Sequence, residues 1–330
     1  MKILFAIQGT GNGHISRARE IIPYLKRYGQ VDTLVSGTQA DVLLDDPVTY
    51  KFHGFSLVFG KKGGVNHWES YKRMDLRKLY RDIKSLPLHQ YDLIINDFEP
   101  VTAWACKLQN KSSVALSHQA SFLSEKTPRP SSSFHWAEWV FKYYAPSTHK
   151  IGFHFERYDD FIHTPVIRSE IRNLETRDLG HITVYLPAYD DKIITSYFKQ
   201  IPDVKWEVFT KHSKIAYCDS NVSVEPINNT GYNASLANSS GLLTGGGFEG
   251  PAEAMFLKKK VLIFPMRDQY EQLCNAEAAR RLGVPIIREL GSNFVSKLKI
   301  WLEAPNPLTI DFPDETESIV HNLVQTYSGK

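Results

Sequence analysis

An apolar run that ends in glycine and leads into residues of helical periodicity occurs near the start of this chain and again in its last third. That pattern restricts the fold more than any other feature. Residues 2–8 are apolar for most of their length, the glycines of GTGNGH follow, and Ile15, Ala18, Ile21, Ile22 and Leu25 then fall at helical spacing. Gly29 suits the C-cap of this helix, and Val31 to Val35 is a second strand-like run closed by Ser36 and Gly37. Strand, glycine turn, helix and strand in that order mark a parallel sheet with crossover helices.

The first half continues with a strand expected near 54–59, a loop holding Lys61, Lys62, Gly63 and Gly64, and a helical stretch from about 67 to 85. YDLIINDFEP then gives a buried strand, Tyr91 to Asn96, with Asp97, Phe98 and Glu99 at its carboxyl end. Val114 to Leu116 is a further strand, ending in Ser117, His118 and Gln119. Ligands of open α/β sheets bind outside such strand ends, so Asp97, Glu99, His118 and Gln119 are candidates for an acceptor site. Asp97 is also an alternative catalytic base, whereas a strand-end acid such as Glu99 can equally cap the next helix.

Pro128, Pro130 and the serines at 131–133 connect to an aromatic segment, FHWAEWVFKYYA. A peripheral membrane helix, a core helix and an aromatic acceptor wall all fit its composition. IHTPVIRSEIRNLETRDLG reads as a linker, after which strands are expected near 182–187, 205–210, 222–227, 241–245, 261–265 and 285–287. The division implied is a first domain over 1–163, a linker over 164–180 and a second domain over 181–330, and a length of 330 residues agrees with two cores. Both domains are expected to be α/β and Rossmann-like.

The glycines of GTGNGH resemble a dinucleotide fingerprint at Gly9 and Gly11, but His14 occupies the third glycine position and no phosphate-loop lysine follows. What remains is a tight turn, Gly11-Asn12-Gly13, that brings His14 to the start of a helix over the strand ends. A neutral imidazole there can accept the proton of an attacking hydroxyl; the alternative is a surface or capping histidine.

The richest stretch is LLTGGGFEGPAEAMFLKKKVLIFPMRDQYEQLCNA. Gly245, Gly246 and Gly247 leave backbone N–H groups open to a diphosphate, and the helix that follows contributes its positive end. That helix carries Glu249 and Glu253 four residues apart, and Glu253 can accept two ribose hydroxyls. Gln269, Glu271, Gln272 and Asn275 gather at the next helix start, with the donors and acceptors a sugar ring requires. An N-cap with solvated acids is the competing reading for that group.

This stretch, together with the GxGH near the N-terminus, resembles family 28 glycosyltransferases, whose members include the peptidoglycan undecaprenyl-diphospho-muramoylpentapeptide N-acetylglucosaminyltransferase, and more closely its prokaryotic relatives. The resemblance implies a GT-B fold, two facing Rossmann-like domains around a cleft, with a nucleotide-sugar donor on the second domain and an acceptor on the first. It puts Gly245, Gly246, Gly247 and Phe248 at the diphosphate, Glu253 at the ribose, and Glu271, Gln272 and Asn275 at the sugar or its edge. It also puts the backbone around Ile227 at the base and His14 near the reaction centre. The chain departs from the peptidoglycan enzyme in lacking an extra glycine before the histidine and in the loop GGGFEGPAE, which bears on the acceptor and not on the fold.

The function expected is inverting, metal-independent transfer from a UDP-linked sugar to an acceptor hydroxyl, glycan or lipid-linked, with no cofactor. Alternatives are a sugar-nucleotide 2-epimerase of the same fold, a nicotinamide oxidoreductase and a non-catalytic sugar-nucleotide-binding protein. The acidic pairs Asp45-Asp46, Asp159-Asp160 and Asp190-Asp191 read as surface turns or helix starts and not as metal ligands. With 39 basic against 36 acidic residues, no nucleic-acid partner is expected. Three scattered cysteines and an N-terminal apolar run of only five residues, Ile3 to Ile7, point to the cytoplasm, with any membrane contact peripheral and at its inner face.

Overall fold

The computed structural model describes residues 1–37, 44–53, 76–131, 135–305 and 310–329. Seven parallel strands form the first sheet: β1 (Lys2–Gln8), β2 (Gln30–Ser36), β3 (Tyr50–Phe52), β4 (Leu93–Asp97), β5 (Val114–Ser117), β6 (His149–Phe153) and β7 (Ile162–His163). Their order across the sheet is β3-β2-β1-β4-β5-β6-β7. Between them run α1 (Asn12–Lys26), α2 (Leu76–Ser85), α3 (Pro100–Leu108) and α4 (His135–Tyr143). The strand expected near 54–59 and the lysine-glycine loop lie outside the described residues, as do Ser132 and Ser133. β3, β6 and β7 are short or carry polar residues in alternation, so no apolar run announces them.

A one-turn helix, α5 (Ser169–Arg172), lies in the linker, and the second sheet follows it. Its strands are β8 (His181–Tyr185), β9 (Lys205–Thr210), β10 (Tyr217–Asp219), β11 (Val222–Pro226), β12 (Gly241–Thr244) and β13 (Lys260–Ile263), in the order β10-β11-β9-β8-β12-β13. Only β10 runs antiparallel, to β11. The strand expected at 285–287 is reduced to one bridge between Ile263 and Ile286. The helices are α6 (Asp191–Phe198), α7 (Asn229–Asn238), α8 (Glu249–Phe256), α9 (Tyr270–Arg281), α10 (Phe294–Glu303) and α11 (Thr316–Tyr327).

Strands buried on both faces by helices are apolar throughout, and Ile3 to Ile7 of β1 are fully buried for that reason. The order of each sheet reverses direction once, between β1 and β4 in the first and between β8 and β12 in the second. At such a switch point successive helices diverge to opposite faces and leave a crevice above the strand ends. Asp97 pairs with Ile7 at the first switch point, and Thr244 with Tyr185 at the second.

The last helix departs from the expected division at residue 181. Ile319, Val320, Leu323 and Val324 of α11 share one buried cluster with Ile15, Ala18, Ile22 and Leu25 of α1. Arg27 bonds Glu317 at 2.5 Å and Tyr28 Oη meets His321 Nδ1 at 2.8 Å. The end of the chain therefore packs on the first half.

Candidate active site

The two switch points open onto one cavity of about 1100 Å³, lined from both halves. On the first side, the turn after β1 sets His14 in the opening turn of α1, where Nδ1 lies 2.8 Å from Asp97 Oδ1. Asp97 is fully buried, and its neighbour Phe98 has φ 55°, a left-handed backbone rarely adopted by a bulky residue. Phe98 itself lines the cavity.

Arg17, one helical turn beyond His14 and only 2% exposed, donates to Asp97 from Nε at 3.2 Å and from Nη2 at 2.7 and 2.8 Å. Its Nη2 also lies 3.2 Å from His14 Nδ1. A guanidinium only donates, so the shorter, charge-assisted contact assigns the Nδ1 proton to the bond with Asp97. In the neutral ring this leaves Nε2 as the acceptor nitrogen of a residue that lines the cavity. Burial alone would raise the Asp97 carboxyl, but Arg17 and then His14 outweigh it and hold it below the usual range. Burial likewise opposes the charge on Arg17, and Asp97 and Glu249 more than restore it.

Glu99 and His118, expected beside this pair, are engaged elsewhere. Glu99 is fully buried and caps α3, accepting from Val101 N at 2.7 Å and Thr102 N at 2.6 Å, with Ser36 Oγ at 2.6 Å. Burial pushes its carboxyl above the usual range against the pull of these three donors. His118 lies under the cavity floor: Nδ1 donates to Phe153 O at 2.8 Å, Nε2 meets the Asn275 side chain at 2.8 Å, and its ring stacks on Phe248 at 3.9 Å. Gln119 does reach the cavity, donating to Glu271 at 3.0 Å across the two halves, and Gly11, Asn12 and Gly13 line the same wall.

On the opposite side Gly245 and Gly247 face the cavity, but Gly246 is turned inward. Its N–H donates to Gln272 Oε1 at 3.0 Å, and its carbonyl accepts from Asn275 Nδ2 at 3.0 Å. A Cβ on Gly246 would stand 2.6 Å from the Gln272 carbonyl oxygen, so glycine alone permits this packing. Of the three amides expected as one cradle, that of Gly246 anchors the turn, that of Gly245 donates to Tyr185 O at 3.3 Å, and that of Gly247 is left on the cavity side. Asn275, expected at the sugar, is fully buried and is part of that anchor.

Phe248 lines the cavity from its stack on His118, and Gln269 caps α9 by accepting from Gln272 N at 2.6 Å. Glu253 also lines the cavity, with Arg168 of the linker donating to it at 2.5 and 2.9 Å. Arg168 further donates to Glu170, to Asn229 at 2.9 Å and to Asn233 at 3.3 Å, so all five of its N–H groups are engaged. Burial pushes the Glu253 carboxyl up against the pull of Arg168. Each Glu253 oxygen keeps a further lone pair that a ribose hydroxyl can use. Ile227 lines the cavity too, but its N–H is already bonded to Thr210 O at 2.9 Å, which leaves its carbonyl and side chain for a base.

Glu249, grouped with the donor residues in the sequence, instead turns its carboxylate across the cleft onto Arg17 Nη1. Arg17 stands three residues after His14, a spacing that puts both on one helix face and makes it readable in principle. Arg168 gives no such sign, because its partner is 85 positions away. The aromatic segment divides by face: Ala137, Val140, Phe141 and Tyr144 line the cavity with Phe98 and Tyr270, while Trp139 is 68% exposed on the outside. The Phe98 and Tyr144 rings pack at 4.9 Å, and Tyr144 Oη accepts from Gln8 Nε2 at 3.0 Å. Of the acidic pairs, Asp190 caps α6, Asp45 and Asp46 pair with Arg19 and Lys26, and Asp159 bonds Ser124 and Lys126.

A model of glycosyl transferase family 1 matches residues 1–299. No curated protein matches the sequence. Among solved structures, the spinosyn forosaminyltransferase SpnP is similar at a TM-score of 0.59 and 12% identity, over 99% of this chain and 95% of that one. SsfS6 of Streptomyces sp. SF2575, a glycosyltransferase complexed with thymidine diphosphate, has a TM-score of 0.59 at 11% identity, over 98% of this chain and 99% of that one. MurG of Acinetobacter baumannii has a TM-score of 0.56 at 12% identity, over 98% and 97%. Likenesses at such identity establish a shared GT-B architecture.

Proposed function

The chain belongs to glycosyl transferase family 1 and is a glycosyltransferase of GT-B fold, and on that premise we propose that it moves a sugar, with inversion, from a UDP-linked donor to an acceptor hydroxyl. The observation that carries this reading is the opposition, across one cavity, of the His14–Asp97 pair and the glycine turn with Glu253. The nucleoside diphosphate lies on the second half, its phosphates against Gly245, Gly247 and the start of α8, its ribose at Glu253 and its base near Ile227. Gln269, Glu271 and Gln272 face the transferred sugar. SsfS6 holds thymidine diphosphate in the same architecture, which supports a pyrimidine nucleotide here.

The acceptor, a glycan or lipid-linked alcohol, enters along Gly11, Asn12 and Gln119 beside the aromatic wall of Phe98 and Tyr144. Its hydroxyl attacks the anomeric carbon as His14 Nε2 takes the proton, with Asp97 stabilising the imidazolium that forms. The bond to the diphosphate breaks on the opposite face. The positive end of α8 and the Gly247 amide meet the departing charge, so the reading requires no metal ion. Among the described residues no helix is long and apolar enough to cross a membrane, and we place the reaction in the cytoplasm with any membrane contact peripheral.

Thermal unfolding in UDP, thymidine diphosphate, GDP and CDP tests the donor site without an acceptor. UDP or thymidine diphosphate is expected to raise the midpoint, and Glu253→Ala to abolish that rise. No rise with any of the four overturns the reading. Conversion of the matching UDP-sugar to an epimer without acceptor replaces transfer by 2-epimerisation.

A further inference from the structure

We infer that Arg17 is a positioning residue that couples the His14–Asp97 pair to closure of the cleft, with Glu249 of the second half as the group it senses. Only the kinetic consequence rests on the transferase reading. The guanidinium holds Asp97 through Nε and Nη2 and receives the Glu249 carboxylate on Nη1, so carboxylates from two halves of the molecule share one rigid planar fork. Any displacement of Glu249 releases or turns the plane that aligns Asp97, and through it the imidazole.

Gly13 supplies an independent observation. A Cβ at this position would lie 2.4 Å from Glu249 Oε2 and 2.7 Å from its Cδ. Glu249 reaches Arg17 over the first turn of α1, along a path that any other residue at 13 would obstruct. Glu249 also directly follows the Gly245–Phe248 turn, so a ligand that draws in that turn moves the carboxylate. The Glu249 side chain is 23% exposed at the cavity while Arg17 is 2% exposed, which makes the contact one that can open from the second half without exposing the first.

The test uses the full-length protein labelled with ¹⁵N-histidine, with the His14 imidazole signals assigned by their loss in His14→Gln. Glu249→Ala and Gly13→Ala are each expected to shift those signals in one direction, and the double variant to shift them no further than Glu249→Ala alone. With alanine at 249 the three atoms nearest the added methyl at 13 are gone. Glu249→Gln, which keeps an acceptor oxygen, is expected to fall between wild type and Glu249→Ala. Unchanged His14 signals in Glu249→Ala, or shifts of the two single variants that add, overturn the inference; melting midpoints near wild type show that the variants fold. In turnover, both single variants are expected to lose roughly 10- to 100-fold in kcat with UDP bound no more weakly. A wild-type protein whose midpoint none of the four nucleotides raises, yet which shows the His14 coupling, removes the donor reading and leaves this one standing.

Discussion

At the scale of single residues the site rests on a short chain of contacts, Arg17 to Asp97 to His14, within one corner of the first sheet. Asp97 carries no room for solvent, so its charge depends on Arg17 and His14. His14→Ala is expected to lower kcat by about 10²- to 10⁴-fold, the ordinary contribution of a positioned base, with the donor affinity unchanged. Asp97→Asn is expected to do the same by removing the acceptor that fixes the Nδ1 proton. Steady-state rates with the donor identified by thermal unfolding check both, and an unchanged kcat in His14→Ala moves the base elsewhere. His14 and Asp97 were both legible as candidates, because a glycine turn and a strand end announce them. Their contact was not, since 83 positions separate them.

At the scale of elements, the strands were readable where burial on both faces made most of their residues apolar, as in β1, β4 and β12. They were silent in β3, β7 and β10, which are edge strands of two or three residues. The last helix shows a different limit. Nothing local in its sequence says which half it covers. α11 buries Ile319, Val320, Leu323 and Val324 against α1, and fully burying each such side chain stabilises by about 1.5–3 kcal/mol. Leu323→Ala is expected to cost about 2–5 kcal/mol, transfer and cavity terms together. Urea unfolding monitored by amide hydrogen exchange is expected to show that loss in α1 and β1, which belong to the other half of the sequence. Protection lost only in the second half refutes this account of α11.

At the scale of the whole molecule, a buried histidine pair lies where the two halves meet. His118 and His154 have ring centroids 5.0 Å apart, and Phe248 of the second half packs on both. Burial holds both below the ordinary histidine value, His154 well below it. The unfolded chain therefore binds protons at about pH 6.5 that the folded protein refuses, so stability is full above that pH and falls as the pH drops towards the folded values. The urea midpoint is expected to decrease between pH 7.5 and 5.5, and His154→Phe to reduce that decrease although it forfeits the bond from Phe155 N at 2.8 Å. An equal decrease in the variant assigns the acid sensitivity to other groups.

Taken by itself, the sequence determined the fold class, the two-sheet plan and the glycine turns, because these follow from local periodicity and from backbone positions that exclude a side chain. It also named some of the residues that line the cleft, among them His14, Glu253 and Gln269. The tertiary structure decided which polar groups face that cleft and which are engaged elsewhere: Glu99 in a cap, His118 and Asn275 beneath the floor, Gly246 as an anchor, Glu249 on Arg17. A carboxylate or amide has the same letter in a cap as in a site, and only the partners that folding brings to it, tens or hundreds of positions away, fix which of the two it becomes.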